Sequence, residues 1–342
     1  MKLYHLSHTD LDGYGCQLIT NQIFEKIEFF NANYGDEVLV RINQILNSLK
    51  KEEKNFILIT DLNLTLEESK YLDEKVAEYK NDGYNIELQL LDHHGSGLES
   101  AEKFNWYFLD ITRSASKITY DFFNKKGFDL KNISKLIDAI NSLDIWLEND
   151  ELFEYGKVLM RLIDEAKEIN RYMFPNINIS YKHYVLLNSI EYLDKKDGHI
   201  ILDDNIYKLK KSFFQKDKKD TLDNLVTEYI VEILTQRKDN MSIYYKGHKG
   251  ILTFGIQNSS IVGNGFLRKN PDFHFFMNIN SRGTFSLRAN NQMDVSKMAY
   301  EIAGGGGHPN ASGGKIKNFK EQFIYSELKS FIEELLKSKE EQ

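Results

Sequence analysis

The chain has 342 residues, of which 41% are hydrophobic, so it can bury a substantial core, and its length predicts roughly two domains. Its formal net charge of -7 excludes a strongly basic nucleic-acid binder, so an anionic ligand must be attracted by a local site. The single cysteine, Cys16, excludes an internal disulfide and a thiolate metal cluster, and it fits a reducing cytoplasm. Because the sequence has no apolar run of about 18 residues and no secretory signal, we expect a cytoplasmic protein without a membrane segment.

The first half of the chain alternates predicted strands and helices. Leu3 to Ser7 is typical of a short strand, and Tyr14 to Ile27 has apolar residues at helical spacing. Further strands are predicted at 28–33, 55–60, 86–91 and 106–109, with helices at 37–49 and 67–81. Thr65 and Glu68 form a capping box at the start of the second of these helices. This alternation predicts a parallel sheet with helices on both faces.

The second half of the chain begins with helices and ends with a mixture of strands and helices. Helices are predicted at 114–123, at 134–147 and in several segments between 152 and 192. The lysine-rich segment from Gly198 to Lys219 is predicted as a solvated linker, and a helix follows it from about Leu222 to Gln236. Later strands are predicted at 241–245, 250–256, 273–279 and 284–289, and helices at 259–267, 294–302 and 321–337. We therefore expect a first domain at 1–197, a linker with a helix at 198–238, and a smaller α/β domain at 239–342.

Acidic and histidine side chains follow three of the predicted strands. They are Asp10 and Asp12 after the first strand, Asp61 after the third, and Asp92, His93 and His94 after the fourth. Because the carboxyl ends of parallel strands meet at one edge of a sheet, these side chains can converge on one crevice. Each has an ordinary explanation when taken singly, such as a helix cap or an Asx turn. Helix capping does not explain why acidic or histidine residues follow all three strands.

This set of side chains suits divalent cations. Hard cations bind carboxylate oxygens, and imidazole suits Mn, Fe and Zn. Asp144, an acid in an otherwise apolar helix beside Leu143 and Trp146, is a further candidate ligand. Two cations about 3.5–4 Å apart, bridged by a carboxylate and a hydroxide, are a common device for hydrolysing phosphate esters. The pattern therefore predicts hydrolysis of a phosphoester.

A second motif is the glycine run from Gly304 to Gly307, followed by His308 and, further on, by Gly313 and Gly314. We expect no helix or regular strand here, because ordering consecutive glycines is costly in conformational entropy. A glycine loop lets backbone amides approach an anion closely. A flexible connector is the alternative, but His308 and the preceding amphipathic helix favour a binding loop.

The order of these motifs resembles that of the DHH phosphoesterases. In this chain, Asp92-His93-His94 is similar to the signature of that family. Asp10-x-Asp12-Gly13 lies upstream of it, Asp61 lies between the two motifs, and Asp144 lies downstream. The glycine run, preceded by Ser286-Leu287-Arg288, resembles their associated DHHA1 domain, and the segment 7–16 is most similar to the nano-RNase B branch. The resemblance covers nearly the whole chain. It implies an α/β fold with an N-terminal parallel-sheet DHH domain flanked by helices and a smaller C-terminal α/β DHHA1 domain across a cleft.

The resemblance also implies a cofactor of two Mn²⁺ ions, with Mg²⁺ or Co²⁺ as alternatives. The implied ligands are Asp10, Asp12, Asp61, His93 and Asp144. Asp61 would bridge the ions, His94 would contact the scissile phosphate, and Asp92 would orient the histidines. The chain departs from several branches of the family, which have a metal-binding histidine four residues before the first aspartate, where this sequence has Leu6. His8, two residues before that aspartate, is therefore a candidate metal ligand or substrate contact.

The predicted substrate contacts lie mostly in the second domain, where the resemblance implies that the glycine loop holds a nucleotide. They are His308, Arg288, Gly305, Gly306 and Gly307, with Arg268 and Asn264 as weaker candidates. In the first domain, Arg113 could pair with a phosphate, whereas Ser114 is expected to cap a helix. Four phenylalanines at 266, 273, 275 and 276 are expected in the core rather than stacked on bases.

Taken together, the motifs and the resemblance predict a Mn²⁺-dependent phosphodiesterase of the cytoplasm. Its substrates would be short oligoribonucleotides (nanoRNA) or linear dinucleotides such as pApA and pGpG, degraded to mononucleotides. A RecJ-like single-strand DNA exonuclease and a phosphatase of 3'-phosphoadenosine 5'-phosphate are alternatives with the same chemistry. A nucleotide-binding sensor without catalysis is the alternative from another class of protein. A family II pyrophosphatase is disfavoured because its second domain differs.

Overall fold

The structure is a computed structural model that describes residues 1–215 and 218–340. Residues 216–217, which fall in the predicted linker, and residues 341–342 lie outside the described part of the chain. The chain divides into two compact units. One contains Met1–Ala166 and Ile179–Leu209, and the other contains Lys167–Asn178 and the chain from Lys210 onward.

The first unit is built on a five-stranded sheet. Its strands are β1 (Lys2–Ser7), β2 (Ile27–Asn31), β3 (Lys54–Thr60), β4 (Asn85–Asp92) and β5 (Tyr107–Leu109). They pair in the order β2-β1-β3-β4-β5, and each pair is parallel, which confirms the predicted parallel sheet. The inner strands β1 and β3 are almost continuously buried, as expected for strands covered on both faces. Since β1, β3 and β4 are neighbours, their carboxyl ends lie side by side.

Within the described residues 1–215, nine α-helices follow or separate these strands. They are α1 (Leu11–Asn21), α2 (Asp36–Ser48), α3 (Leu66–Asn81), α4 (Leu98–Lys103), α5 (Ala115–Lys125), α6 (Ser134–Asp144), α7 (Phe153–Glu165), α8 (Pro175–Ser189) and α9 (Gly198–Phe214). The capping box of Thr65 and Glu68 is present at the start of α3, as predicted. Helix α6 ends at Asp144, before the predicted Leu147, and α9 occupies most of the segment predicted as a linker.

The second unit contains a mixed six-stranded sheet. Its strands are β6 (Ser242–Tyr245), β7 (His248–Phe254), β8 (Phe275–Ile279), β9 (Thr284–Ala289), β10 (Gly306–His308) and β11 (Ala311–Lys315). Their order is β10-β11-β9-β8-β7-β6; the β7–β8 pair is parallel and the other four pairs are antiparallel. Between residues 218 and 340, the structure describes four helices beside them: α10 (Leu222–Met241), α11 (Ser259–Lys269), α12 (Val295–Ala303) and α13 (Tyr325–Glu340). The phenylalanines at 266, 273, 275 and 276 are fully or almost fully buried, so their prediction as core residues is confirmed.

The expectation that the glycine run forms no regular strand was wrong. Gly306 to His308 pair with Ala311 to Gly313 as an antiparallel hairpin, and β11 also pairs with β9. A Cβ atom on Gly305 would lie 2.3 Å from the Gly313 carbonyl oxygen, and one on Gly307 would lie 2.5 Å from the Ala311 carbonyl oxygen. The glycines therefore permit a closer backbone approach than any other residue would allow.

This close packing predicts different outcomes for two neighbouring glycines. Gly305→Ala should lower the free energy of unfolding by about 1–3 kcal/mol, because the added methyl group collides with backbone that cannot rotate away. At Gly306 an added Cβ would meet nothing within 4 Å. Gly306→Ala is therefore the matched control, with an expected change within about 0.5 kcal/mol. Chemical denaturation of both variants tests this, and equal stabilities would show that the hairpin tolerates a side chain at 305.

Among the described residues, none of the helices combines the length and the apolar character that a membrane span requires.

Candidate active site

His93 lies at the centre of the residues that follow the strand ends. Its Nε2 atom is 3.4 Å from Asp61 Oδ1, 3.4 Å from Asp144 Oδ2 and 4.0 Å from Asp12 Oδ2. These three aspartates lie directly after β3, at the end of α6 and in the first turn of α1, respectively. The structure therefore brings together four of the five implied metal ligands, although they are separated by up to 132 positions of chain.

A second group contains the fifth implied ligand. His8 Nδ1 is 2.8 Å from Asp10 Oδ2 and 3.7 Å from Asp61 Oδ2, so Asp61 takes part in both groups. Among the described residues, the candidate ligand atoms lie within 4.8 Å of one another in each of three sets: Asp12, His93 and Asp144; His8, Asp10 and Asp61; and Asp61, His93 and His94. Leu6, at the position where several relatives have a histidine, is fully buried in β1. His8 is thus the imidazole that accompanies Asp10 in this chain.

The backbone that follows β1 positions both early aspartates. Asp10 is the N-cap of α1, and its Oδ1 accepts a 2.9 Å hydrogen bond from the Gly13 amide. The helix-cap explanation is therefore correct for Asp10, but its other oxygen faces His8. A Cβ atom on Gly13 would lie 2.5 Å from the His8 carbonyl oxygen, so this tight turn requires glycine there. The cap also explains why α1 begins at Leu11 rather than at the predicted Tyr14.

Asp12 is held by a distant helix. Its buried carboxylate accepts hydrogen bonds from the amides of Ala115 at 2.7 Å and Ser116 at 3.0 Å, in the first turn of α5. A helix N-terminus favours a negative charge, so α5 orients this carboxylate and helps to keep it ionised. Ser114 caps the same helix by accepting from the Lys117 amide, which confirms its predicted role.

Asp61 has an unusual backbone and an unpartnered oxygen. Its φ angle is 56°, a left-handed conformation that aspartate adopts more readily than most residues. The residue is buried, and Oδ2 has no hydrogen-bond partner among the described residues. Burying such an oxygen is costly unless something binds it. An unpartnered carboxylate oxygen between two groups of oxygen and nitrogen donors fits a bound cation.

The electrostatics of the site also fit a cation. Burial raises the pKa of Asp61, and the negative charges of Asp10 and Asp12 raise it further. Burial and the charges of Asp12 and Asp10 raise the pKa of Asp144 to about 9. Burial likewise raises the pKa of Asp12, against the attraction of His93. Crowded carboxylates repel one another in a water-poor site, and divalent cations would relieve this repulsion.

His94 and Asp92 form a hydrogen-bonded pair at the edge of this cluster, where His94 also lies near Asp61 and His93. His94 Nδ1 donates to Asp92 Oδ1 at 2.7 Å, and the Tyr107 hydroxyl donates to the other oxygen of Asp92 at 3.0 Å. Burial alone would lower the pKa of His94, but the hydrogen bond and charge of Asp92 raise it overall. Asp92 is fully buried and directed at His94, whereas the neighbouring His93 faces the carboxylate cluster.

Two tyrosines at this site were not predicted from the sequence. The Tyr34 ring lies 5.1 Å from the ring of His8 and 5.9 Å from that of His94, and its hydroxyl is 3.3 Å from His94 Nε2. Tyr34 follows β2 by three residues, so the rule that identified the other three strand ends would have found it if it had included aromatic residues. Tyr107, which holds Asp92, occupies the first position of β5 and carries no such signal.

Arg113 is engaged by two carboxylates. Its guanidinium donates hydrogen bonds to Asp110 and Asp121 and lies just before α5. Arg113 was predicted to pair with a phosphate, but these two ion pairs already balance its positive charge.

Only some of the substrate contacts predicted in the second unit lie close together. Arg288 lies opposite Ala311 of the glycine hairpin and donates to the Leu287 carbonyl and the Ser260 hydroxyl. His308 is exposed at the end of β10, where its carbonyl accepts from the Ser312 hydroxyl at 2.7 Å. Arg288 therefore lies against the hairpin formed by the predicted glycines.

The two weaker candidates lie further along α11. Asn264 and Arg268 are exposed one and two turns beyond Ser260, about 6 and 12 Å along the helix axis. Arg268 lines a groove between α10 and α11 together with Glu228 and Glu232. Arg268 therefore lies beside two carboxylates and about two helical turns from Ser260, to which Arg288 donates.

Comparison with known proteins places both units in one family. The model of the DHHA1 domain matches residues 266–338. The chain is 45% identical to a Helicobacter pylori protein named 3',5'-cyclic-nucleotide phosphodiesterase, over 98% of this chain and 99% of that protein. It is 25% identical to the oligoribonuclease NrnB of Bacillus subtilis, over 92% of this chain and 73% of that protein.

A solved structure supports the same assignment. The crystal structure of an uncharacterized protein from Helicobacter pylori G27 has a TM-score of 0.91 and 43% sequence identity, covering 98% of this chain and 99% of that one. The similarity extends over both units, and the Asp-His-His motif lies at the carboxyl end of β4, among the carboxylates that a phosphoester hydrolase requires. The resemblance seen in the motifs is thereby confirmed: this chain is an enzyme of the DHH–DHHA1 phosphoesterase family.

Proposed function

We propose that this protein is a metal-dependent phosphodiesterase that hydrolyses short oligoribonucleotides or linear dinucleotides such as pApA and pGpG to mononucleotides. The observation that carries the proposal is the convergence of four carboxylates and two histidines, which come from three adjacent strand ends and from the end of α6, with Asp61 near both histidines. The oligoribonuclease name of the Bacillus subtilis relative supports the choice of substrate.

The residues at the strand ends would hold two divalent cations, for which we propose Mn²⁺. One position would be formed by His8, Asp10 and Asp61, and the other by Asp12, His93 and Asp144. Asp61 would contribute to both, because its Oδ1 lies 3.4 Å from His93 Nε2. When bound, such a pair of cations lowers the pKa of a water molecule and neutralises charge on phosphoryl oxygens. The protein holds the ligands rigidly, because Asp12 is fixed by the α5 amides and Asp10 by the Gly13 amide.

His94 would contact the scissile phosphate. Its Nδ1–H is committed to Asp92, so Nε2, which lies 3.3 Å from the Tyr34 hydroxyl, is the nitrogen that would face a substrate in place of Tyr34. Since Asp92 favours the protonated imidazole, Nε2 can donate a hydrogen bond to a phosphoryl oxygen. Tyr107 and Asp92 thus act through His94 as positioning residues.

The second unit would bind a nucleotide. Arg288 supplies a guanidinium beside the glycine hairpin, and His308 is exposed at its tip. A guanidinium next to closely spaced backbone amides suits a terminal phosphate. This role belongs to Arg288 and His308 rather than to Arg268.

A second candidate function is hydrolysis of 3',5'-cyclic mononucleotides. The observation that favours it is the 45% identity, over nearly both full lengths, to a relative named 3',5'-cyclic-nucleotide phosphodiesterase. Both reactions break one P–O bond of a phosphodiester by attack of water, so the same strand-end residues can serve either substrate. The two candidates differ in whether the product is one mononucleotide or two.

One set of assays tests these candidates. The purified protein with Mn²⁺ is incubated with pApA, pGpG, end-labelled RNA and DNA of graded length, cyclic AMP, and 3'-phosphoadenosine 5'-phosphate. We expect the highest kcat/KM for the shortest linear RNA substrates. A higher kcat/KM for cyclic AMP would establish the second candidate, and preference for long DNA or for the monoester would reject both. Nucleotide binding without any hydrolysis would identify a sensor.

A further inference from the structure

The turn directly after Asp144 has a tryptophan at a position where its backbone favours glycine. Helix α6 ends in a Schellman motif, in which the Trp146 amide donates to the Leu143 carbonyl at 3.0 Å and the Leu147 amide donates to the Ser142 carbonyl at 2.7 Å. The residue after the C-cap of such a motif adopts a left-handed conformation and is usually glycine. Here it is tryptophan, with a φ angle of 58°.

Tryptophan at this position carries backbone strain. A bulky side chain in the left-handed region places its Cβ too close to the carbonyl oxygen, and strained residues of this kind concentrate at functional sites. Glycine would close the same turn without strain. The structure therefore retains the indole ring at a cost to the backbone.

The ring is held in place and yet exposed. Its Nε1–H donates to Glu148 at 2.6 Å, and its ring packs edge-on against buried Phe153 with the centroids 5.3 Å apart. Despite these contacts, 63% of Trp146 is exposed. A large ring that is fixed from one side and open on the other can accept a flat, apolar partner.

The location of Trp146 identifies that partner. The Asp144 carboxylate lies 3.4 Å from His93, and the Cα of Trp146 is within about 7 Å of that of Asp144. The indole is therefore attached to the chain two residues from a side chain of the site at which the phosphodiester would be cleaved. In a nucleotide, the flat group is the base, which one sugar separates from the phosphate.

We propose that Trp146 is a base-stacking residue, which binds the nucleobase next to the scissile phosphate. The proposal rests on the proposed function and deepens it, because it identifies the substrate as a nucleotide recognised through its base and not through phosphate alone. Stacking on one aromatic ring accepts every base, so Trp146 provides affinity without base specificity.

The fluorescence of Trp146 can report this contact directly. The chain has only two tryptophans, and the other, Trp106, is 8% exposed, with its Nε1–H bonded to Asp73. In the presence of Mg²⁺, AMP should quench the emission of the wild-type protein in a saturable manner. Ribose 5-phosphate, which has the sugar and phosphate but no base, should not. Trp146→Phe should abolish the quenching, whereas Trp106→Phe should preserve it.

A second measurement covers the case in which a variant folds poorly. Trp146→Gly relieves the strained turn, so its thermal stability should equal or exceed that of the wild type. Isothermal titration calorimetry should show AMP binding to Trp146→Gly weakened by about tenfold or more, with binding of ribose 5-phosphate unchanged.

The outcomes separate this proposal from the proposed function. Hydrolysis of nucleotides with no quenching by AMP and unchanged AMP affinity in Trp146→Gly would overturn the stacking role and leave the phosphodiesterase intact. Quenching by AMP without hydrolysis of any substrate would support stacking and reject the phosphodiesterase. Light scattering provides a further test, because a change of oligomeric state in Trp146→Gly would assign the ring to a contact between subunits and overturn the proposal.

Discussion

Asp61→Asn should lower kcat for phosphodiester hydrolysis by at least about 10³-fold while leaving the protein folded. Asp61 is the carboxylate that both groups of candidate ligands share, so its loss affects both cation positions at once. Asparagine has nearly the same shape, and it tolerates the left-handed φ angle of 56° found at this residue. The variant therefore removes the charge without disturbing the turn. Steady-state kinetics with pApA and cyclic AMP measure the effect.

The same substitution should have the opposite effect on the stability of the metal-free protein. Asp61 Oδ2 is buried without a hydrogen-bond partner, and the charges of Asp10 and Asp12 repel it. Removing the charge removes both unfavourable contributions, so calorimetry without metal should show a higher melting temperature for the variant. Asp82→Asn, at an exposed position beyond α3, is the matched control and should change neither rate nor stability. Activity within a few-fold of wild type in Asp61→Asn would reject a bridging role.

Removal of divalent metal should abolish hydrolysis and lower stability together. Cations that bind only the folded state stabilise it by RT ln(1 + [L]/Kd), which is about 2.7 kcal/mol at a hundred times Kd. Dialysis against a chelator followed by titration with Mn²⁺, Mg²⁺ or Co²⁺ should restore activity and raise the melting temperature, with Mn²⁺ restoring the highest rate. Metal analysis of the dialysed and reloaded protein gives the number of ions bound.

The Asp61→Asn variant provides the control for this experiment. Because the shared carboxylate is missing, added Mn²⁺ should raise its melting temperature much less than it raises that of the wild type. Full hydrolysis by protein that metal analysis shows to be free of cations would contradict the proposed metal dependence. An equal rise in melting temperature for both proteins would place the bound cations elsewhere in the chain.

The sequence by itself determined the elements whose signals are local. Buried strands such as β3 are apolar runs, and the capping box at Thr65 needs only a residue three positions away. The parallel order of the sheet follows from the alternation of strands and helices, so the meeting of the strand ends could be predicted before any contact was known. The Asp-His-His motif and the glycine run are short enough to be recognised in the sequence alone.

Only the tertiary structure decided which of these residues touch and what holds them. The α5 amides that fix Asp12 come from more than 100 positions away, and Tyr34 reaches His94 across 60 positions of the chain. The glycine run forms a hairpin because its second strand, β11, pairs with β9. The strained turn at Trp146 could not be predicted from residue preferences, which favour glycine at that position. Local preferences act over a few residues, whereas these contacts gain their free energy only after distant segments have packed together, which no local pattern records.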